Sequence, residues 1–355
     1  MASATGPDAD SERRNVSDAV GVAVLGACAA WSLITAAMHD GRPEGVLLAV
    51  LAVSAGYASG RISGALVPVA APCAGALAGL GLALAEPRIA PGPQFDAPLG
   101  HAGATAALLT LAAGSACCAA RAASAPVVRV PLWLLAVGIT GTALVLGSDS
   151  GFVLCTAVLL CSLAAGRMRH RGLGVVGLGL AAALVAGATW AVAGNVLPGG
   201  LTESLEGQLG PHRVRLWQDA LHMAHRDSGL GVGPGRFGEL SNAAAEALLP
   251  DGKPHSAPFQ MVAEQGVVGV LLLAAAFCWV LHALWRTPRP TPVALTAGAA
   301  LTGLAVIASV GDALSFTAVT AGAGFLAGLA TAHPVADDAS HTVPEARARG
   351  DRLAP

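Results

Sequence analysis

Charged residues are scarce in this chain. They make up 12% of its 355 residues, whereas a soluble domain carries about 25%. Aromatic residues are scarce as well, at 4%. A water-soluble fold is therefore not expected. The 54% of hydrophobic residues and the mean hydropathy of +0.63 indicate an integral membrane protein instead.

The chain also lacks a basic cluster and any patterned cysteines. Its formal net charge is −2, and its arginines are scattered between apolar segments, which excludes the clustered basic face typical of nucleic-acid binding. The seven cysteines all lie in apolar runs without disulfide or metal-ligand spacing. His222 and His225 have no third ligand at metal-site spacing. We expect neither a metal nor another cofactor.

Long apolar runs recur along most of the chain. Each is long enough to cross a hydrocarbon core of about 30 Å as a helix. The sequence predicts an all-α, polytopic transmembrane bundle of about ten helices, with one long loop that contains short amphipathic helices. The predicted spans are residues 18–38, 44–60, 64–85, 98–120, 130–147, 151–170, 172–194, 258–285, 292–310 and 312–331.

The distribution of cationic residues predicts the orientation, because short cytoplasmic loops carry an excess of Lys and Arg. With the N-terminus inside, 13 of the 20 lie on the cytoplasmic side, two in short outer loops and five in the long loop. We expect a multi-pass protein of the cytoplasmic (plasma) membrane with both termini cytoplasmic. Its regions are a tail (1–17), seven helices (18–194), an extracytoplasmic loop (195–257), three helices (258–331) and a disordered tail (332–355).

The long loop contains a predicted amphipathic helix from His212 to Arg226. At 100° per residue, Arg213 falls at the edge of the apolar face and Arg215 falls on the polar face. The two arginines are about 200° apart, so they cannot serve one pocket equally. Alternatively, the helix lies at the membrane interface, where Trp217 anchors it and the arginines contact water or lipid phosphate.

A glycine cluster follows, from Gly229 to Phe237. Its backbone allows close approach of a ligand, with Gly233 and Gly235 as candidate contacts. The segment has no Walker-type ending and no βαβ context, which argues against a nucleotide site.

The loop then enters the eighth predicted span through His255, a residue type suited to proton transfer near neutral pH. Ser256 is available as an N-cap. Within the span, Gln260 and Glu264 are four residues apart and share one face. An ionisable residue in a membrane helix is a functional candidate. The alternative for Glu264 is a solvated carboxylate that the helix N-terminus stabilises.

Three motifs occur in a characteristic order: Arg213-Val-Arg-Leu-Trp217-Gln-Asp-Ala-Leu221, the cluster Gly229-Leu-Gly231-Val-Gly233-Pro-Gly235-Arg-Phe237, and the stretch His255-Ser-Ala-Pro-Phe-Gln260-Met-Val-Ala-Glu264-Gln-Gly266-Val-Val-Gly269. In order and spacing they resemble the O-antigen ligase-like family of polytopic membrane proteins. The motifs cover roughly residues 210–270, and the many-helix layout extends the resemblance loosely over the whole chain.

This resemblance implies a glycosyltransferase of surface polysaccharide synthesis, acting as ligase or polymerase. Such proteins transfer a glycan from an undecaprenyl-diphosphate carrier to a glycan, lipid or protein acceptor, without a metal. Matched by motif position, Arg213 corresponds to the family arginine, His255 to the histidine proposed to deprotonate the acceptor, and Glu264 to an orienting acidic residue. Arg215, Arg236, Gly233, Gly235 and Gln260 are the further candidates for diphosphate and glycan contacts.

The chain departs from the family pattern in two places. The connector between the fifth and sixth spans reads Gly147-Ser148-Asp149-Ser150-Gly151, where the family commonly shows Ser-Arg-Gly, and Ser256 replaces the usual Asn. An aspartate 4 Å from a diphosphate charge would repel it by roughly 4 kcal/mol at an effective dielectric of about 20. Either another cation, Arg215 or Arg236, compensates, or activity is altered or lost. The alternative function is therefore a non-catalytic transporter of lipid-linked glycan, or a scaffold.

Overall fold

The structure is a computed structural model that describes residues 7–89, 100–196, 210–245 and 252–333. Within these ranges the regular structure is entirely helical, which confirms the predicted fold class. A 3-10 turn at Ala313–Ser315 accompanies the following α-helices: α1 Pro7–His39, α2 Glu44–Leu66, α3 Ala70–Ile89, α4 Gly100–Ala122, α5 Pro126–Val145, α6 Asp149–Ala165, α7 Arg171–Ala193, α8 Pro211–Arg226, α9 Phe237–Leu240, α10 Asn242–Ala245, α11 Ala257–Arg286, α12 Thr291–Val310 and α13 Thr317–Thr331.

Seven of these helices are long and apolar enough to cross a membrane, counted over the described residues. They are α1, α2, α4, α5, α7, α11 and α12, while α3, α6 and α13 contain shorter apolar stretches. The polytopic architecture is thereby confirmed, and the count of about ten spans stays a prediction. Helix α1 begins at Pro7, so part of the predicted tail 1–17 is helical. Residues 1–6 and 334–355, which include most of the predicted disordered tail, lie outside the described residues.

Contacts at the helix termini define two ends of the bundle. At one, which we call the loop end, Arg236 of the connector between α7 and α11 donates to the carbonyl of His39, and Ser256 donates to the carbonyl of Ser309. At the other, the arginine end, Arg289 donates to the carbonyl groups of Gly64 and Ala332. The connector that carries most of the predicted site residues therefore lies at one end. Its assignment to the outer side stays a prediction from the charge distribution.

Helices α4 and α12 form the centre of the bundle. In their most apolar windows, 100% of the α4 residues and 83% of the α12 residues are buried. Many of these residues are alanine, so the backbones approach closely, as is usual where lipid gives no hydrophobic drive for helix association. The outer helices instead expose large apolar side chains, among them Leu134 of α5 and Leu180 of α7. In a membrane, these exposed apolar surfaces would contact lipid.

Helices α2 and α13 pack backbone to backbone through glycines. A Cβ atom at Gly60 would lie 2.2 Å from the carbonyl oxygen of Phe325, and one at Gly328 would lie 2.2 Å from that of Tyr57. Real Cβ atoms are not found at such distances, so this interface requires glycine. Close packing through small residues is a general solution for helices in membranes.

We expect Gly60→Ala to destabilise the protein by about 1–3 kcal/mol, because the added methyl group must push α2 and α13 apart. The midpoint of thermal unfolding in detergent would measure this effect. Gly45→Ala is the matched control on the same helix, because no atom lies within 4 Å of a Cβ at Gly45. Equal midpoints for the two variants would contradict the tight α2–α13 interface.

Arginines satisfy carbonyl groups at the arginine end. Arg289 is 6% exposed, and its Nε and Nη2 atoms lie 2.8 Å from the carbonyl oxygen of Ala332 and 2.6 Å from that of Gly64. Burial lowers the pKa of Arg289, yet a guanidinium keeps its charge in proteins. Arg171 similarly donates to the carbonyl groups of Thr287 and Arg289. Carbonyl groups at or just after the ends of α2, α11 and α13 thus obtain partners that the helices cannot supply.

Candidate functional site

The candidate site is built around a break in helix α11. Gly266 has φ 68° and ψ −168°, which divides the helix into Ala257–Gln265 and a longer second part. A break leaves carbonyl groups without their helical partners, and in a membrane protein such groups must be satisfied by the protein itself. Three of them accept hydrogen bonds from outside the helix: Ala263 from the N–H of Val232 (2.9 Å), Glu264 from the N–H of Gly233 (3.0 Å) and Gln265 from the indole of Trp31 (2.9 Å).

The glycine cluster is the partner of this break. A Cβ atom at Gly231 would lie 2.5 Å from the backbone carbon of Glu264, and one at Gly266 would lie 2.4 Å from the carbonyl oxygen of Gly229. The N–H of Val267 donates to the carbonyl of Ser228 at 3.0 Å. The glycines permit a close backbone contact, and at Gly231 the partner in this contact is α11.

Gly233 and Gly235 contact the turn between α1 and α2. Their Cβ positions would lie 2.8 Å from Cβ of His39 and 3.3 Å from Cβ of Arg42, and both residues have positive φ. Arg236 donates to the carbonyl of His39 at 2.7 Å and lies 3.7 Å from Glu239. These predicted substrate contacts thus fix the connector to α1, and their contact with a glycan or diphosphate stays a prediction.

Glu264 lies just before the break and is 2% exposed. Its Oε2 accepts a hydrogen bond from Nε2 of Gln260 at 3.3 Å. The backbone groups of Gly235 and Phe237 also face this carboxyl group. Buried carboxyl groups need such partners, so Glu264 joins the end of the glycine cluster to α11. The arrangement agrees with an orienting role, and it differs from the alternative of a solvated carboxylate.

The amphipathic helix of the connector forms as expected, at Pro211–Arg226. Its buried residues include Val214, Trp217 and Ala220 of the predicted apolar face. Trp217 is fully buried and stacks on Phe259 with a centroid distance of 5.1 Å. An anchor at the level of lipid headgroups would be exposed. The structure instead places Trp217 in the protein core, against α11.

His255 lies in the turn that precedes α11, and it is half-buried. Its φ of 50° is unusual for a residue with a side chain and is found mainly where the surroundings enforce it. The flanking residues supply three contacts: Nε1 of Trp217 donates to the carbonyl of Pro254 (3.0 Å), Oγ of Ser256 donates to the carbonyl of Ser309 (2.8 Å), and Lys253 pairs with Asp312 (3.6 Å). The turn is therefore fixed to α8 and to the end of α12.

Arg213 lies four residues before Trp217, one turn along α8. Its side chain is half-buried, and its buried Nε has no hydrogen-bond partner within the residues that the structure describes. Burial lowers the pKa of Arg213 without removing the charge. Arg215 is exposed on the other side of the helix, as the predicted angle requires. Arg213 thus lies one turn before Trp217 on α8, and His255 follows Pro254, whose carbonyl group accepts the hydrogen bond of the Trp217 indole. A shared site for the two residues stays a prediction.

Asp312 is a residue of this region that was not among the predicted site residues. It belongs to the connector between α12 and α13 and is 7% exposed. Its Oδ2 atom lies 3.6 Å from Nζ of Lys253. The sequence contains a usable signal, because Asp312 is the one Asp, Glu, Lys or Arg in residues 290–333. The predicted span 312–331 placed it at a helix start, where an acidic residue is unremarkable.

Asp149 lies at the loop end, at the start of α6. The side chain of Ser148 accepts a hydrogen bond from the N–H of Gly151 at 3.3 Å and caps the helix. Asp149 is exposed in the first helical turn, where the helix dipole favours a negative charge. This departure from the family pattern therefore has a local structural role.

Comparison with known proteins adds one match. The model of the family described as O-Antigen ligase matches residues 133–274, less than half of the chain and the part that contains Arg213, His255 and Glu264. The match confirms the predicted family resemblance and supports a ligase-like or polymerase-like membrane function in glycan synthesis. Neither the curated proteins nor the solved structures yielded a match.

Proposed function

We propose that this O-antigen ligase-like membrane protein transfers a glycan from an undecaprenyl-diphosphate carrier to an acceptor at the outer face of the cytoplasmic membrane. The observation that carries the proposal is the hydrogen bond from Trp217 to the carbonyl group of Pro254, which ties the helix that carries Arg213 to the turn that carries His255. A guanidinium and an imidazole are the groups that a metal-independent displacement of a diphosphate requires.

Arg213 binds the diphosphate of the donor. Guanidinium presents its N–H groups in a planar fork that matches phosphate oxygens. Arg213 has no acidic partner within the described residues, and its buried Nε is without a protein acceptor there. An anion would supply both the missing charge and the missing acceptor. Arg215 lies on the exposed side of the same helix, and it adds a second positive charge near Arg213.

His255 is the general base. It accepts the proton of the acceptor hydroxyl while that oxygen forms a bond to the anomeric carbon of the donor sugar. The bond from this carbon to the diphosphate oxygen breaks, and undecaprenyl diphosphate leaves with the electron pair. Attack opposite the leaving group inverts the anomeric configuration. Base catalysis of this kind contributes about 10²- to 10⁴-fold to a rate.

The remaining candidates position these two groups or the glycan. Glu264 and Gln260 hold the glycine cluster against α11, and Arg236 holds the same cluster against α1. Gly233 and Gly235 allow the cluster to pack closely against the turn between α1 and α2. A shift at any of these contacts moves the start of α11, on which the turn with His255 depends.

The proposed orientation follows from the positive charges. Arg121, Arg171 and Arg289 lie at the arginine end, and cationic residues are enriched on the cytoplasmic side of membrane proteins. The loop end then faces outward, where lipid-linked glycans are joined to their acceptors, and both termini lie in the cytoplasm.

Transfer by the purified protein from a synthetic undecaprenyl-diphosphate glycan tests the proposal. Activity should persist in EDTA. Arg213→Gln should reduce kcat/KM by about 100-fold, the loss typical when one group that stabilises developing negative charge is removed. Arg226→Gln, an exposed arginine at the end of α8, is the matched control. Loss of activity in EDTA, or equal rates for the two variants, would contradict the mechanism.

A non-catalytic function, as transporter or scaffold for lipid-linked glycan, is the second candidate. Asp149 favours it, because this carboxylate is exposed at the loop end, where the family commonly has an arginine. A flipping assay in proteoliposomes distinguishes the candidates. Translocation of the donor without bond formation would favour the transporter, whereas bond formation without translocation would favour transfer.

A further inference from the structure

A cavity of about 160 Å³ opens at the arginine end of the bundle, far from the candidate site. It is lined by the end of α4, the start of α5, the connector between α11 and α12, and the start of α12. The lining residues are Ala120, Arg121, Arg129, Trp133, Pro290 and Pro292. One water occupies about 30 Å³ in the liquid, so the cavity has room for a group of about five heavy atoms. A phosphate group has this size.

The charge of the cavity is positive. Arg121 donates to the carbonyl of Ser162, and Arg129 donates to the carbonyl of Ala123 at 2.8 Å. These contacts fix both guanidinium groups. Each guanidinium has five N–H donors, so further donors remain for a ligand. Within the described residues neither arginine pairs with a carboxylate, and the charges of Arg129 and Arg167 both act on Arg121. Two fixed, uncompensated guanidinium groups favour an anion between them.

The surroundings of the cavity are apolar and exposed on the outside of the bundle. Trp133 lies under the guanidinium of Arg121, with 5.1 Å from Cζ to the ring centroid, and tryptophan is typical of membrane interfaces. Next to it, α5 exposes Val127, Val130 and Leu134, by 83%, 58% and 66%. A ligand with a phosphate and acyl chains matches this combination, whereas a soluble phosphate compound would leave the apolar surface uncovered.

We propose that this cavity binds the phosphate of an anionic phospholipid, whose acyl chains lie along the exposed face of α5. Arg121 and Arg129 contact the phosphate, and Trp133 packs beside the glycerol region. Basic pockets between transmembrane helices are known to bind lipid headgroups. The site is independent of the proposed transfer reaction, because it lies at the other end of the bundle.

Native mass spectrometry of the full-length protein in detergent, titrated with phosphatidylglycerol, tests the proposal. Arg129→Gln should weaken binding about fivefold, the contribution of one cationic residue near an anionic lipid, and Arg121→Gln/Arg129→Gln should weaken it further. Arg169→Gln is the matched control, because Arg169 is an exposed arginine of the α6–α7 connector that does not line the cavity. Phosphatidylcholine should bind more weakly than phosphatidylglycerol.

Three results would overturn the proposal. Equal effects of Arg129→Gln and Arg169→Gln would show general attraction to a basic surface. Displacement of the lipid by millimolar inorganic phosphate would show a site for a soluble anion, and equal binding of both lipids would remove the role of charge. Because Arg129 is exposed, its single variant gives a result even if replacement of Arg121 prevents folding.

Discussion

Replacing His255 by asparagine is expected to reduce glycan transfer by about 10²- to 10⁴-fold, the range that general bases contribute. Asparagine tolerates the left-handed backbone conformation that His255 adopts, with φ 50°. The variant therefore removes the base while it preserves the turn before α11. Turnover of a lipid-linked donor by the purified protein measures the effect, and an unchanged unfolding midpoint shows that the turn is intact.

Two further variants separate the imidazole from the backbone. His255→Gly also retains the conformation and should be as inactive as His255→Asn. His222→Ala, at an exposed position of α8, should retain full activity as a matched histidine control. If His255→Gly turned over at the normal rate, the backbone conformation would be the requirement, and the role of general base would be wrong.

Replacing Gly231 by alanine is expected to destabilise the protein by about 2–5 kcal/mol. Gly231 has φ 69°, and a Cβ atom there would lie 2.5 Å from the backbone of Glu264. The left-handed conformation costs about 1–2 kcal/mol for a residue with a side chain, and overpacking adds about 1–3 kcal/mol. The neighbouring atoms belong to a backbone that is held by hydrogen bonds, so they cannot move aside at low cost. Thermal unfolding in detergent measures the loss.

Gly229 provides the control within the same cluster. The nearest atom to a Cβ at Gly229 is Oδ1 of Asp227, at 3.8 Å, which is an ordinary contact distance. Gly229→Ala should therefore unfold near the wild-type midpoint. A similar midpoint for Gly231→Ala would show that the cluster does not pack against the break in α11 as described.

Local patterns predicted most of the helices. The predicted spans 172–194 and 292–310 correspond to Arg171–Ala193 and Thr291–Val310, because apolar runs of membrane length are a signal within the segment itself. The amphipathic helix was likewise predictable, since its periodicity separates Arg213 from Arg215. These features depend on residues that are neighbours in the sequence.

The break in α11 was not predictable in the same way, because the apolar run 258–285 predicts one continuous span. The break depends on donors far away in the chain, such as Trp31, which is 234 residues from Gln265. The glycine cluster was interpreted as a place of ligand approach for the same reason, because the contact of Gly231 with α11 was unknown. The pairing of Asp312 with Lys253 also joins segments whose proximity no local pattern reveals.

The hydrogen bond from Trp31 to the broken helix also bears on how the protein can be divided. The stretch that matches the family, 133–274, contains Arg213 and His255 but lacks Trp31, His39 and Ser309, each of which bonds to it. Part of the support for the reactive groups thus comes from segments outside the matched stretch. An isolated fragment of the matched stretch would keep the reactive groups and lose these three hydrogen bonds, so dividing the protein at the bounds of the match is expected to loosen the connector and the broken helix.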